Sequence, residues 1–211
     1  MQTQNTSVPT NIRAILCDVG GVIIHRAQTP ALQQWERRLS LTSRDLSLAV
    51  WLCKAAQQAT RGLAGVDEAW REIQQTYALT DTEAEAFRED FASVDYIDAE
   101  FVRFLHDVRK TRMIALLSNA WPGARETFGD EFGLKAVSDI MILSYEEGLA
   151  KPEQQIYAVA AEKLQLPYAS ILFIDDYPPN VAAAQTCGMH GVIFETREQT
   201  ITDVQILLKN T

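Results

Sequence analysis

The stretch AILCDVGGVIIH, running from Ala14 to His25, decides how this chain folds. Four apolar residues, Ala14-Ile15-Leu16-Cys17, deliver Asp18 into a pair of glycines, Gly20 and Gly21, before Val22, Ile23 and Ile24 resume the apolar character. A short unbroken apolar run suits a strand buried on both faces of a parallel sheet. A carboxylate placed where such a strand meets a glycine turn raises the question of what it does there.

Working outward, the same texture recurs at Ile12–Cys17, Met113–Leu117, Ile140–Leu143, Ile171–Ile174 and Gly191–Phe194. Helical patterns separate the later runs. Glu153–Leu164 carries Ile156, Val159, Ala160 and Leu164 on one face, and the Ala-rich Asn180–Cys187 stops at Gly188. Strand and helix in alternation predict an α/β fold, a Rossmann-like parallel-sheet core of about five strands with right-handed crossovers. From about Pro30 to Tyr96 the rhythm changes to helix after helix with no strand. The apolar stripes there are Val66-Ala69-Trp70-Ile73-Tyr77, with Asp67 as cap, then Leu48-Leu52-Ala55-Ala56-Ala59, and Ala84-Phe87-Phe91. The expected division is an α/β core at 11–29 and 97–211 with a helical unit at 30–96. In parallel α/β folds ligands bind at the carboxyl ends of the strands. A unit inserted after the first strand therefore sits over the site and can act as a lid.

The bulk composition fits this plan. The 211 residues carry a formal net charge of -9 and 47% hydrophobic side chains. That is enough for a sizeable core, and the negative balance excludes nucleic acid or an anionic membrane as the main partner. No run reaches transmembrane length. The opening MQTQNTSVPTN lacks the basic-then-apolar order of a secretory signal and reads as a flexible lead-in. Three scattered cysteines, Cys17, Cys53 and Cys187, suit a reducing cytoplasm. Oligomeric state is left open.

Four predicted strand ends carry reactive groups. Asp18 follows the first strand. Ser118 and Asn119 follow the second, in LLSNA. Lys151 follows the third, in SYEEGLAKPE, and Asp175 and Asp176 follow the fourth, in FIDDYPPN, with Asn180 further on. Taken singly, each has an ordinary structural explanation as a cap, a turn or a solvated charge. Together they place three acids, a hydroxyl and an ammonium on one sheet edge. Packed acids repel unless a cation joins them, and hard oxygen ligands suit Mg²⁺ completed by waters and a phosphate. A carboxylate can attack phosphorus to give an aspartyl-phosphate that water then cleaves.

These motifs resemble the haloacid dehalogenase-like (HAD) superfamily, in its branch with a helical cap after the first strand. The resemblance covers nearly the whole chain, and the pairing of SYEEGLAKPEQQIYAVA with FIDDYPPNVAAAQTCGM is its most specific part. It is similar to sugar-phosphate phosphatases and to the phosphatase-like domain of soluble epoxide hydrolases. The resemblance implies Asp18 as nucleophile, and Ser118 and Lys151 as catalytic partners. It also implies Gly21 and Asn119 in substrate binding, and Mg²⁺ held by Asp18, the Gly20 carbonyl, Asp175 and Asp176. The implied substrate is a small phosphorylated metabolite.

One position departs from the family pattern, Asp-x-Asp, in which the second Asp is the general acid and base. This chain has Gly20 there. Three readings follow: a Mg²⁺-dependent phosphomonoester hydrolase, a metal-independent 2-haloacid dehalogenase, and a non-catalytic phosphate- or partner-binding protein. His25 and Arg26 are the nearest substitutes for the missing acid. Cys17 is read as core. Trp35, Trp51 and Trp70 are read as packing residues, one of which could face substrate. Trp121-Pro122-Gly123 is read as a turn over the sheet edge, and Glu146 and Glu147 as solvated acids.

Overall fold

Five parallel strands, β1 (Ala14–Cys17), β4 (Met113–Ser118), β5 (Ile140–Leu143), β6 (Ile171–Asp175) and β7 (His190–Ile193), form one sheet in the order β5-β4-β1-β6-β7. The computed structural model describes residues 11–209. The stretch read as a flexible lead-in lies outside them except for Asn11. Strand pleating sends alternate side chains to opposite faces. Ile15, Cys17, Ile114, Leu116, Leu172 and Ile174 therefore share one buried cluster, while Ala14, Leu16, Ala115, Leu117, Ile171 and Phe173 share the other. Cys17 is fully buried in the first, as expected.

Helices cover both faces. Phe101 and Leu105 of α6 (Ala99–Arg109) and Val204 of α11 (Arg197–Lys209) close the first cluster. Ile156, Tyr157 and Ala160 of α9 (Gln154–Leu164), with Val181 and Ala184 of α10 (Pro178–Thr186), close the second. Two short helices, α7 (Ala124–Glu126) and α8 (Ser144–Glu147), sit in the loops after β4 and β5. The Asp98 carboxylate accepts from the Glu100 and Phe101 amides and starts α6, satisfying donors that a helix start leaves open.

Between β1 and α6 lie five helices, α1 (Pro30–Leu39), α2 (Ser43–Leu52), α3 (Lys54–Ala59), α4 (Val66–Thr76) and α5 (Asp81–Ala92). Three of the five starts carry a threonine cap. Thr29 caps α1 ahead of Pro30, and Thr80 and Glu83 form a reciprocal capping box on α5. These helices bury their own cluster, including Leu46, Val50, Ala59, Ala69, Ile73, Phe87 and Phe91. Trp121, from the loop after β4, belongs to it too.

Three expectations are corrected here. Asp67 lies inside the first turn of α4 and pairs with Arg88, while Gly65 occupies the cap position. Leu48 and Leu52 are exposed, because α2 turns Leu46 and Val50 inward and breaks at Cys53 before α3. The segment 30–96 is not free of strand. Asp95 and Tyr96 belong to β3 (Asp95–Ile97), which pairs antiparallel with β2 (Ile24–Arg26). That pairing joins residues about seventy positions apart, so local periodicity carries no sign of it.

Candidate active site

The carboxyl end of β1 lies between those of β4 and β6, with Cys17 paired to Leu116 and to Ile174. Asp18 thus leaves the sheet beside Ser118 on one side and Asp175 on the other. The three acids come together: carboxylate oxygens of Asp18, Asp175 and Asp176 all lie within 4.8 Å of one another. The Lys151 ammonium joins two of them, 2.8 Å from Asp18 Oδ1 and 2.6 Å from Asp175 Oδ2. Asp175 is 0% exposed, Lys151 5% and Asp18 8%, so these charges meet largely out of water.

The surroundings fix each group. The Val19 amide donates to Asp18 Oδ1 at 2.7 Å. Asp175 Oδ1 accepts from the Tyr177 amide at 2.8 Å, and Asn180 Nδ2 donates to both Asp175 oxygens at 3.0 Å. Asn119 holds the Lys151 backbone from both sides: Nδ2 donates to its carbonyl at 2.9 Å and Oδ1 accepts from its amide at 2.8 Å. Ser118, at the end of β4, is buried. Gly21 has φ +80°, and a Cβ there would sit 2.6 Å from Asp176 Cγ. Only glycine leaves Asp176 its place. At Gly20, by contrast, a Cβ would meet nothing within 4 Å. The position of the absent acid is open space.

The electrostatics follow from crowding. Burial pushes the Asp18 carboxyl up to about 8, with Lys151 pulling it down and Asp175 adding to the rise. Burial disfavours the Lys151 ammonium, but Asp18 and Asp175 outweigh it and hold its pKa above the ordinary value. Burial and then Asp175 also raise Asp176, while Lys151 and His25 pull the other way. These shifts describe one site. Three acids share one ammonium, Asp175 lies at the shorter distance from it, and the crowding disfavours charge on Asp18 and Asp176 unless a further cation joins them.

Other expected participants are committed to other contacts. Arg26 donates to the Phe91 carbonyl and pairs with Asp95 at 3.4 Å, so it is committed to the β2–β3 ribbon. His25 packs between the rings of Tyr96 and Phe194, each centroid 5.8 Å away. Glu146 pairs with Arg125 and Glu147 with Lys163, so neither bears on Lys151. Two supporting residues escaped the sequence reading. Ser144 Oγ accepts from the Ala120 amide at 2.9 Å and donates to its carbonyl, pinning the loop after Asn119. Tyr157, fully buried, donates to the Asn180 carbonyl at 2.8 Å. In the sequence Asn180 reads only as one more polar residue after β6. The signal for its role is its place in the first turn of α10, five positions after Asp175, where the helix start turns back toward the strand end.

A parallel α/β sheet with acids and a lysine gathered at its carboxyl edge defines a Rossmann-like class of catalytic fold. The chain belongs to the haloacid dehalogenase-like hydrolase family, whose profile matches residues 12–188. Among solved structures it is similar to a HAD family enzyme from Bacteroides thetaiotaomicron crystallised with magnesium and inorganic phosphate. That likeness has a TM-score of 0.71 at 21% identity and covers 87% of this chain and 94% of that one. A protein described as a predicted HAD-like family hydrolase from Porphyromonas gingivalis gives 0.70 at 23% identity, over 92% and 98%. A 2-haloacid dehalogenase from Pseudomonas syringae pv. Tomato gives 0.59 at 15%, over 94% and 98%. In sequence, the mouse Acyl-CoA dehydrogenase family member 10 is 27% identical over 70 residues, which span 33% of this chain and 6% of that protein. Among the described residues no helix is long and apolar enough to cross a membrane.

Proposed function

We propose that this hydrolase is a Mg²⁺-dependent phosphomonoesterase acting on small phosphorylated metabolites. The observation that carries the reading is the meeting of three carboxylates with a single ammonium. A haloacid dehalogenase works without a metal and has no use for Asp175 and Asp176 beside its nucleophile. The acid cluster therefore favours the phosphatase reading. The residues present fit a divalent cation: three carboxyl groups share a single ammonium, and the bare Cα of Gly21 leaves room for Asp176. Asp18, Asp175, Asp176 and the Gly20 carbonyl would hold it. When bound, Mg²⁺ neutralises phosphoryl charge as a Lewis acid. The magnesium and phosphate in the Bacteroides relative support the same assignment.

In this reading Asp18 Oδ attacks phosphorus. Lys151 holds the attacking carboxylate in place and, with the Ser118 hydroxyl, offsets charge on the phosphoryl oxygens. Asn119 keeps Lys151 in position, and the Gly21 backbone approaches the phosphate closely. Water then cleaves the aspartyl-phosphate and restores Asp18. Residues 11–29 and 97–211 form the catalytic core and 30–96 the cap, the second boundary falling within β3. The three cysteines are all free, which supports a reducing, cytoplasmic setting.

The test is hydrolysis of p-nitrophenyl phosphate with Mg²⁺, which EDTA and Asp18→Asn should each abolish. Chloride release from a 2-haloacid without metal would overturn the reading in favour of a dehalogenase. Absence of turnover on every phosphate ester would leave a binding protein.

A further inference from the structure

We infer that the ester cleaved here carries a flat aromatic alcohol, so that a phenol is the product; the inference rests on the phosphatase reading. Two independent features of this chain point to it. The first is a cleft of about 480 Å³ under the helical segment, reached from the site through Asn119 and sized for a small organic group. The loop Asn119–Gly123, starting one residue after Ser118, forms one wall, and Asn119, whose side chain holds the Lys151 backbone, links the cleft to the acid cluster. Its other walls include Trp51, Trp70, Phe91 and Phe128. Trp121 is ringed by Trp51 and Trp70, with centroids at 4.5 and 6.4 Å. Three of the four charged residues of the cleft, Arg26, Arg88 and Asp95, are already held in ion pairs. A site for a sugar presents free partners to many hydroxyls. This one presents aromatic surface, which prefers another ring. Among the described residues, the buried lining atoms without a hydrogen-bond partner are Arg26 Nε and Asp95 Oδ1, which face each other in their ion pair, and the Trp121 indole N–H, which suits a single acceptor.

The second feature is Gly20. With no carboxylic acid there, the departing oxygen receives no proton from that position. A phenol has a pKa near that of tyrosine, about 10, and leaves readily as its anion, whereas an alkoxide needs protonation. The chemistry balances without an added group. Asp18 Oδ forms a bond to phosphorus as the phosphorus–oxygen bond to the ring breaks, its electron pair staying on the phenolate oxygen. Water then attacks phosphorus and the bond to Asp18 breaks, giving phosphate and the free carboxylate. The proton shed by that water ends on the phenolate through solvent.

The experiment compares kcat/KM, with Mg²⁺, for 2-naphthyl phosphate, acetyl phosphate, glucose 6-phosphate and glycerol phosphate. Naphthyl phosphate is expected to exceed both alkyl esters at least 100-fold. Trp51 is 41% exposed, so Trp51→Ala should fold. It should lower the naphthyl-to-acetyl ratio about tenfold, and Trp51→Phe should restore most of it. A sugar or glycerol ester turned over as well as the naphthyl ester overturns the inference and leaves the phosphatase standing. So does a ratio unmoved by Trp51→Ala. No turnover of any of the four overturns both.

Discussion

Asn180 Nδ2 donates to both carboxylate oxygens of Asp175 at 3.0 Å, fixing the plane of a carboxylate that no water reaches. Tyr157 in turn anchors the Asn180 carbonyl. Groups that orient a metal ligand typically contribute 10- to 100-fold in affinity or activity. Asn180→Ala is therefore expected to weaken Mg²⁺ binding by about 10- to 100-fold by calorimetry, and to lower kcat at subsaturating Mg²⁺ more than at saturating Mg²⁺. Equal loss at both concentrations would show that Asn180 acts on something other than the acid cluster.

The Lys151 ammonium pairs with two of the three acids. Removing one partner of a buried ion pair strands the other charge, at about 3–5 kcal/mol. Lys151→Met should lower the unfolding free energy of the metal-free protein by about that amount, abolish turnover, and regain part of its stability when Mg²⁺ is added. An unchanged unfolding free energy without metal would mean that the acids take up protons at no cost to the fold.

The two glycines after Asp18 are expected to respond oppositely. Gly20 has open space around it. Gly20→Asp should fold, bind Mg²⁺ and raise turnover of alkyl phosphates about 10²-fold, the lower end of what a positioned acid supplies. Gly21→Ala places a side chain at positive φ, about 1–2 kcal/mol unfavourable, and drives it into Asp176. It should lower stability and weaken Mg²⁺ binding together. Thermal melts with and without Mg²⁺ check both variants.

Metal binding should depend on pH with a known sign. A carboxyl must lose its proton to bind a cation. The Asp18 carboxyl is raised to about 8 in the metal-free site. Below that pH, Mg²⁺ displaces a proton and apparent affinity falls as pH drops. Above it, affinity levels off. Calorimetry at pH 6, 7 and 8.5 in buffers of different ionisation enthalpy should show rising affinity and a proton released at the lower values. Constant affinity across the range would contradict the shift.

The parallel core was legible in the sequence because its determinants are local. Each core strand is an apolar run bounded by polar or glycine residues, and each appears within a residue or two of its expected place. The meeting of acids and lysine was legible for a related reason: a parallel sheet brings its strand ends to one edge, and there Asp18, Lys151, Asp175 and Asp176 come together. The β2–β3 ribbon was not legible, because its register is set by partners on opposite sides of the helical segment. Nor was the outward turn of Leu48 and Leu52, which depends on where α2 breaks and what packs against it.

By itself the sequence determined which atoms reach the sheet edge, since strand ends and motif residues are fixed by chain order. It also determined that Gly20 has no acid to offer. Only the tertiary structure decided how those atoms are shared. Lys151 bridges Asp18 and Asp175 rather than serving one of them, Asn180 locks Asp175, and Trp121 crosses from the core to complete a helical cluster. The reason is range: strand formation answers to neighbours in the chain, whereas ion pairing, carboxylate orientation and aromatic packing answer to neighbours in space.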